Sequence, residues 1–112
     1  MSIWGAKTRL CGKWKLEEFL VNGTDRTKVY FPQHLYFEYY YRSGKYEYIN
    51  GGTSQSETGN WSFADDKMKV IRTADSNFVA DEVTILKLKN HAYWYSYTIA
   101  DSVYEMHMLG NN

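Results

Sequence analysis

The side chains of this chain best suited to chemistry are its aromatic rings. Tyrosine alone supplies 11 of the 112 residues. Phe37, Tyr39 and Tyr41, then Tyr46 and Tyr48, then Tyr93, Tyr95 and Tyr97, recur at every second position. Alternate residues of a strand share one face. Neighbouring strands of this kind would line a surface with ring faces and phenol hydroxyls. The chemistry of such a surface is recognition: rings hold an apolar or aromatic ligand, and hydroxyls orient it. The same rings would equally serve to fill a small barrel from within. Tyr36 and Tyr40 fall on the opposite face and are expected outside, as a recognition surface for a protein or a sugar.

No other set of residues has the spacing of a reaction centre. His34, His91 and His107 lie far apart, and no Cys/His/Asp spacing resembles a zinc site. Neither a metal nor a cofactor is expected. Glu17-Glu18 and Asp65-Asp66 are adjacent pairs, and adjacent strand residues point to opposite faces, so neither makes a converging acid and base. Thr53, Ser54 and Ser56 have no His or acid in triad-like spacing. Gly51-Gly52 is too short for a phosphate loop. Lone Cys11 forms no internal disulfide and reads as a small hydrophobe at a strand start. Asn22-Gly23-Thr24 and Asn60-Trp61-Ser62 match the glycosylation tripeptide, which matters only in a eukaryotic secretory route. The expectation is a protein that is not an enzyme.

The bulk properties narrow the partners. Thirteen basic and thirteen acidic residues cancel, and there is no Lys/Arg run, which argues against a nucleic-acid binder. No apolar run approaches the ~20 residues that span a bilayer. The N-terminus has no basic start followed by an apolar core, so it does not read as a signal peptide. The length suits one core. Residues 1–9 read as a lead-in, with a helical turn near Ala6 to Leu10, and residues 10–112 as one domain.

The elements that must position the rings read as strands. Trp14 and Leu16 alternate with lysines until the pattern slips at Glu17-Glu18, as a β-bulge would make it. Asn22-Gly23 is a hairpin signal. Thr24 to Gln33, with Pro32, reads as a connection or an edge segment. Strands follow at 35–42 and 46–49, joined by a tight turn at Arg42 to Lys45. A polar loop spans 51–56. Further strands fall at 57–63, 67–73, 82–88, 93–99 and 103–109, with Ala64-Asp65-Asp66 and Lys89-Asn90-His91 as turns. In the 82–88 strand the inward set is either Val83 and Ile85 or Leu86 and Leu88. Short strands with a turn every 8–12 residues predict an all-β fold. A small eight-stranded antiparallel up-and-down barrel is the simplest closure, because it leaves no free edge. A Greek-key sandwich is the alternative.

Two pieces of the chain match each other: Gly12-Lys13-Trp14-Lys15-Leu16 and Gly59-Asn60-Trp61-Ser62-Phe63. Each places a glycine, a tryptophan and an apolar residue on one strand face, so Gly12, Trp14, Gly59 and Trp61 are expected to be structural. These pieces resemble the Gly-x-Trp signatures of the bacterial lipocalin-like domains, small relatives of the lipocalin and fatty-acid-binding-protein barrels. Asp65-Asp66-Lys67-Met68 after the second piece, and Ile85-Leu86-Lys87-Leu88 before a Tyr/Trp-rich strand, extend the resemblance over roughly residues 10–109. It implies a calycin-type barrel, plugged near Trp14 and open at the other end. It also implies a binding protein for a small hydrophobic or aromatic ligand, and an extracytoplasmic setting. The candidate ligand-binding residues are Phe37, Tyr39, Tyr41, Tyr46, Tyr48, Tyr95 and Tyr97. A protein-interaction or inhibitor domain with a filled barrel is the alternative. One departure stands out. Many lipocalins carry an Arg near the last strand that packs over the first-strand Trp, whereas residues 103–109 hold only His107 as a basic group.

Overall fold

Alternation along each strand becomes an inside and an outside once the sheet closes, and in the computed structural model it does close. The structure describes residues 7, 9–33, 35–64, 68–89 and 91–110. The strands are β1 (Gly12–Val21), β2 (Thr24–Asp25), β3 (Tyr36–Tyr40), β4 (Lys45–Asn50), β5 (Gln55–Ala64), β6 (Lys69–Ala74), β7 (Ala80–Lys89), β8 (Ala92–Ile99) and β9 (Ser102–Gly110). A short helix, α1 (Thr27–Tyr30), lies between β2 and β3. Strands β3 to β9 pair in sequence order, all antiparallel, and β1 pairs with both β3 and β9. The result is a closed eight-stranded antiparallel up-and-down barrel, with β2 as a two-residue spur on β1. A Greek-key sandwich is thereby excluded.

The local signals act where their chemistry requires. Asn22 and Gly23 both take positive φ, 51° and 82°, and close a two-residue turn between paired Val21 and Thr24. That backbone matches the right-handed twist of the flanking strands. The β1 register shifts between Leu16 and Glu18, so Trp14 and Leu16 point inward before the bulge and Phe19 after it. A second shift falls between Ile85 and Lys87. It resolves the ambiguous β7 strand: Val83 is buried, and Ile85 and Leu88 both pack on the core, while Leu86 is exposed. Thr24 to Gln33 is a connection that includes β2 and α1. Thr27 anchors it, because its hydroxyl accepts from the Phe19 N–H at 2.8 Å and donates to Asp25 at 2.6 Å. The turn expected at Asp65-Asp66, together with His34 and Asn90, lies outside the described residues.

One end of the barrel is solid. Leu10, Trp14, Leu16, Val70, Val83, Tyr93 and Met108 are all essentially inaccessible. Residues Lys7, Arg9 and Leu10 are helical, and the Leu10 carbonyl accepts the Trp14 indole N–H at 2.8 Å. Leu10 and Tyr93, whose ring lies 5.4 Å from that of Trp14, close this end in place of a last-strand Arg. His107 is not the substitute. It sits on the outer face, stacked on Trp94 at 3.8 Å, with its ring nitrogens on the Glu18 and Glu105 carboxylates.

The glycines of the paired pieces do different work. Gly12 opens β1 at φ 138°, a backbone that L side chains rarely adopt. Gly59 sits inside β5, and a Cβ there would come within 2.2 Å of the Thr73 carbonyl oxygen. Its lack of a side chain is what lets β6 approach. Trp61 is buried, with its indole N–H donated to the Tyr41 carbonyl at 2.9 Å.

Candidate functional site

The facing of β3 reverses the sequence expectation. Glu38 pairs with inward Trp14 across β1 and with Tyr48 across β4, so Tyr36, Glu38 and Tyr40 point into the barrel. Phe37, Tyr39 and Tyr41 are on the outer face, where the Tyr39 and Tyr41 rings stack at 6.4 Å and Lys13 Nζ lies 4.8 Å over Phe37. The outer surface expected of Tyr36 and Tyr40 is therefore built by these three rings instead. The physical reason is that the acid in this strand, which should favour water, finds full compensation inside.

Glu38 is completely buried, and four partners neutralise or solvate it. Tyr36 donates its hydroxyl to Oε2 at 2.9 Å, and Tyr40 donates to Oε1 at 2.7 Å. Tyr95 also donates to Oε2. Arg72 Nη1 lies 3.2 Å from Oε1. Because the Tyr40 proton goes to Glu38, the 3.3 Å contact between the Tyr40 and Tyr93 oxygens must be donated by Tyr93. A buried charge is tolerated only when paired and hydrogen-bonded in this way.

Arg72 is the centre of the cluster. It enters from β6, opposite Trp61 on one side and Asp81 on the other. Its Nε and Nη2 donate to the two Asp81 oxygens at 2.9 and 2.7 Å, a bidentate pair. Its Nη1 also reaches the hydroxyls of Tyr40 and Tyr95. The guanidinium plane lies 5.1 Å from the ring centres of both Tyr46 and Tyr95. Burial opposes the charge on Arg72, but Tyr40, Tyr95, Tyr46 and Glu38 outweigh it and hold its pKa above the ordinary arginine value. Burial, reinforced by the Glu38 charge, pushes the phenols of Tyr36, Tyr40, Tyr46, Tyr93 and Tyr95 well above the usual tyrosine range. Tyr97 is pushed up to about 12, mainly by burial.

Above this polar floor the barrel is hollow. A cavity of about 540 Å³ is lined by Tyr36, Tyr46, Tyr48, Tyr95 and Tyr97, with Phe31 and Met106 beside them and Asn50, Gln55, Asp81 and Ile99 toward the mouth. It opens at the end opposite Trp14, among the β4–β5 and β8–β9 hairpins. Of the expected ligand-binding residues, the structure brings Tyr46, Tyr48, Tyr95 and Tyr97 together on this wall. Tyr93 lies deeper, in the core. An aromatic ladder continues the wall: Tyr97 stacks on Tyr104 at 5.2 Å and Tyr104 on Phe19 at 5.9 Å, while Phe31 meets Tyr36 at 5.3 Å.

Glu38, Arg72 and Asp81 went unread in the sequence. A signal for Arg72 was present, since it shares a strand face with Val70, an inward position. Burial raises the Cys11 thiol above its ordinary pKa, against the pull of Arg42 and Lys7. Among the described residues no group of His, Cys, Asp and Glu could hold a metal ion, and no helix is long and apolar enough to cross a membrane.

No family model matches the chain, and no curated protein matches it by sequence. Solved structures do match. A lipocalin-like protein from Bacteroides uniformis superposes with a TM-score of 0.70 at 14% identity, covering 91% of this chain and 98% of that one. An uncharacterised protein from Bacteroides eggerthii gives a TM-score of 0.64 at 11% identity, covering 90% and 98%. With the strand order, the closure of β9 on β1 and the plugged Trp14 end, these matches give the chain the lipocalin-like barrel fold.

Proposed function

We propose that this protein is a non-enzymatic binding protein that holds a small hydrophobic or aromatic molecule in the open half of its barrel. The observation that carries the reading is the 540 Å³ cavity walled by tyrosine rings. Its size suits a small molecule, and its mixture of ring faces with a few fixed polar groups is the usual make-up of a ligand pocket. The network around Glu38 and Arg72 favours binding over catalysis. Glu38 is completely buried, and Arg72, although it touches the cavity, is spent on Glu38, Asp81 and the tyrosine oxygens, so neither is free to act on a substrate. Native mass spectrometry and a thermal-shift screen against fatty acids, sterols, haem and aromatic metabolites test the reading. A stoichiometric complex with a raised Tm is the expected result, whereas a screen without a hit counts against it. Detectable turnover in a hydrolase and isomerase panel would replace it with an enzyme.

The outer stripe of Phe37, Tyr39 and Tyr41 supports a second reading, a protein-interaction surface. Tyr41 is 46% exposed and close to stacked Tyr39. Loss of a partner in a pull-down with Tyr41→Ala, with the cavity ligand still bound, would favour it.

A further inference from the structure

The cavity's charge is one-sided. Resting on the reading above that it holds a small molecule, we propose that the ligand joins a flat or aromatic body to a protonated amine. A second recess of about 250 Å³ adjoins the main cavity, with Tyr46, Tyr48, Arg72 and Asp81 lining both. Among the lining residues described, the carboxylates are Asp81, Glu82 and Glu57, and the one cation is Arg72. Glu38 adds a further negative charge directly beneath the floor. Lys69 answers Glu82 at 3.0 Å. Arg72 shares its single charge between Asp81 and Glu38, so the excess negative charge rests on that trio and on Glu57.

Arg72 is poorly placed to recruit an anion. Its bidentate edge is occupied by Asp81, and Nη1 is directed at Glu38 and two tyrosine oxygens. A carboxylate arriving from the mouth would meet Asp81 first, whose side chain is 57% exposed. An ammonium would meet a carboxylate with lone pairs to spare. Two of the lining hydroxyls agree in sign. Tyr36 and Tyr95 already donate their O–H to Glu38, so either oxygen can only accept from a ligand. The rings of Tyr48 and Tyr97 offer faces on which a flat body stacks and a cation is stabilised. A cleft of net negative charge with apolar walls also concentrates cations.

Three probes isolate the head group: tryptamine, indole-3-acetate and tryptophol share an indole and differ in carrying an ammonium, a carboxylate or a hydroxyl. Calorimetric titration of the wild-type protein at neutral pH should give tryptamine binding at least tenfold tighter than either of the others. Asp81→Asn, checked for folding by circular dichroism, should erase most of that preference, and the wild-type series stands without it. Equal or tighter binding of indole-3-acetate or tryptophol overturns the amine assignment while leaving the cavity as the binding site. Silence from all three probes, with a hit in the broader screen, overturns the amine assignment in the same way. Silence from both overturns the cavity reading as well.

Discussion

The Arg72 guanidinium lies 3.2 Å from the Glu38 carboxylate, and both side chains are buried. This pair divides the barrel: below it the rings fill the interior, and above it they surround a void. Removing one partner strands the other. Arg72→Met should therefore destabilise the fold by about 3–5 kcal/mol, the range for an orphaned buried charge. The double variant Glu38→Leu/Arg72→Met should recover much of that loss, because no charge then stays buried. Urea unfolding of the three proteins checks the order, and a double variant worse than the single would oppose it.

Gly59 is held to be glycine by the Thr73 backbone, 2.2 Å from where a Cβ would stand. Both atoms belong to paired strands, so neither can swing aside. Gly59→Ala should cost about 1–3 kcal/mol, as overpacking does. Gly23, unlike Gly59, has positive φ, and nothing lies within 4 Å of its missing Cβ. Gly23→Ala should therefore show only backbone strain, on the order of 1 kcal/mol, and comparing the two midpoints separates contact from conformation.

Trp14 plugs the closed end and donates to Leu10 at 2.8 Å. Trp14→Phe keeps a ring but loses that bond and some volume, and Trp14→Ala leaves a cavity. The expected losses are about 1–2 kcal/mol for the first and about 3–5 kcal/mol for the second. Thermal unfolding read by circular dichroism would show the ranking.

The raised phenols make a pH prediction. Tyr36, Tyr40, Tyr46, Tyr93, Tyr95 and Tyr97 have folded pKa values above the ordinary tyrosine value, Tyr97 at about 12. Above pH ~10 the unfolded chain would lose protons that the folded one keeps. The stability these neutral phenols contribute is complete below that pH and falls above it, for Tyr97 until pH reaches about 12 and for the other phenols on to higher pH. Absorbance at 295 nm should show a late tyrosine component that coincides with loss of the far-ultraviolet signal. A gradual titration of these phenols with the fold intact would contradict the buried network.

Much of the barrel was legible because it depends on local rules. Asn22-Gly23 dictates a turn, the slip at Glu17-Glu18 is a bulge, and the Gly-x-Trp pieces point their rings inward. The candidate site was half legible, and the reason lies in β3. Alternation there offers two faces, one carrying Phe37, Tyr39 and Tyr41, the other Tyr36, Glu38 and Tyr40. Polarity alone turns the face with the acid outward. What reverses the choice is Arg72, 34 residues later in the chain, and alternation in one strand carries no information about a charge on another. The bulge near Lys87 hid the facing of β7 in the same way, since one inserted residue changes which side chains point inward.

The central claim is that the inward tyrosines, not the outward ones, hold the ligand. Titrating a ligand found by the screen into Tyr48→Ala, Tyr97→Ala and Tyr39→Ala tests it most directly. The two cavity variants should weaken binding at least tenfold, about 1.4 kcal/mol, and Tyr39→Ala should match the wild type. Undiminished affinity in both cavity variants, with a loss in Tyr39→Ala, would contradict the account and move the site to the outer face.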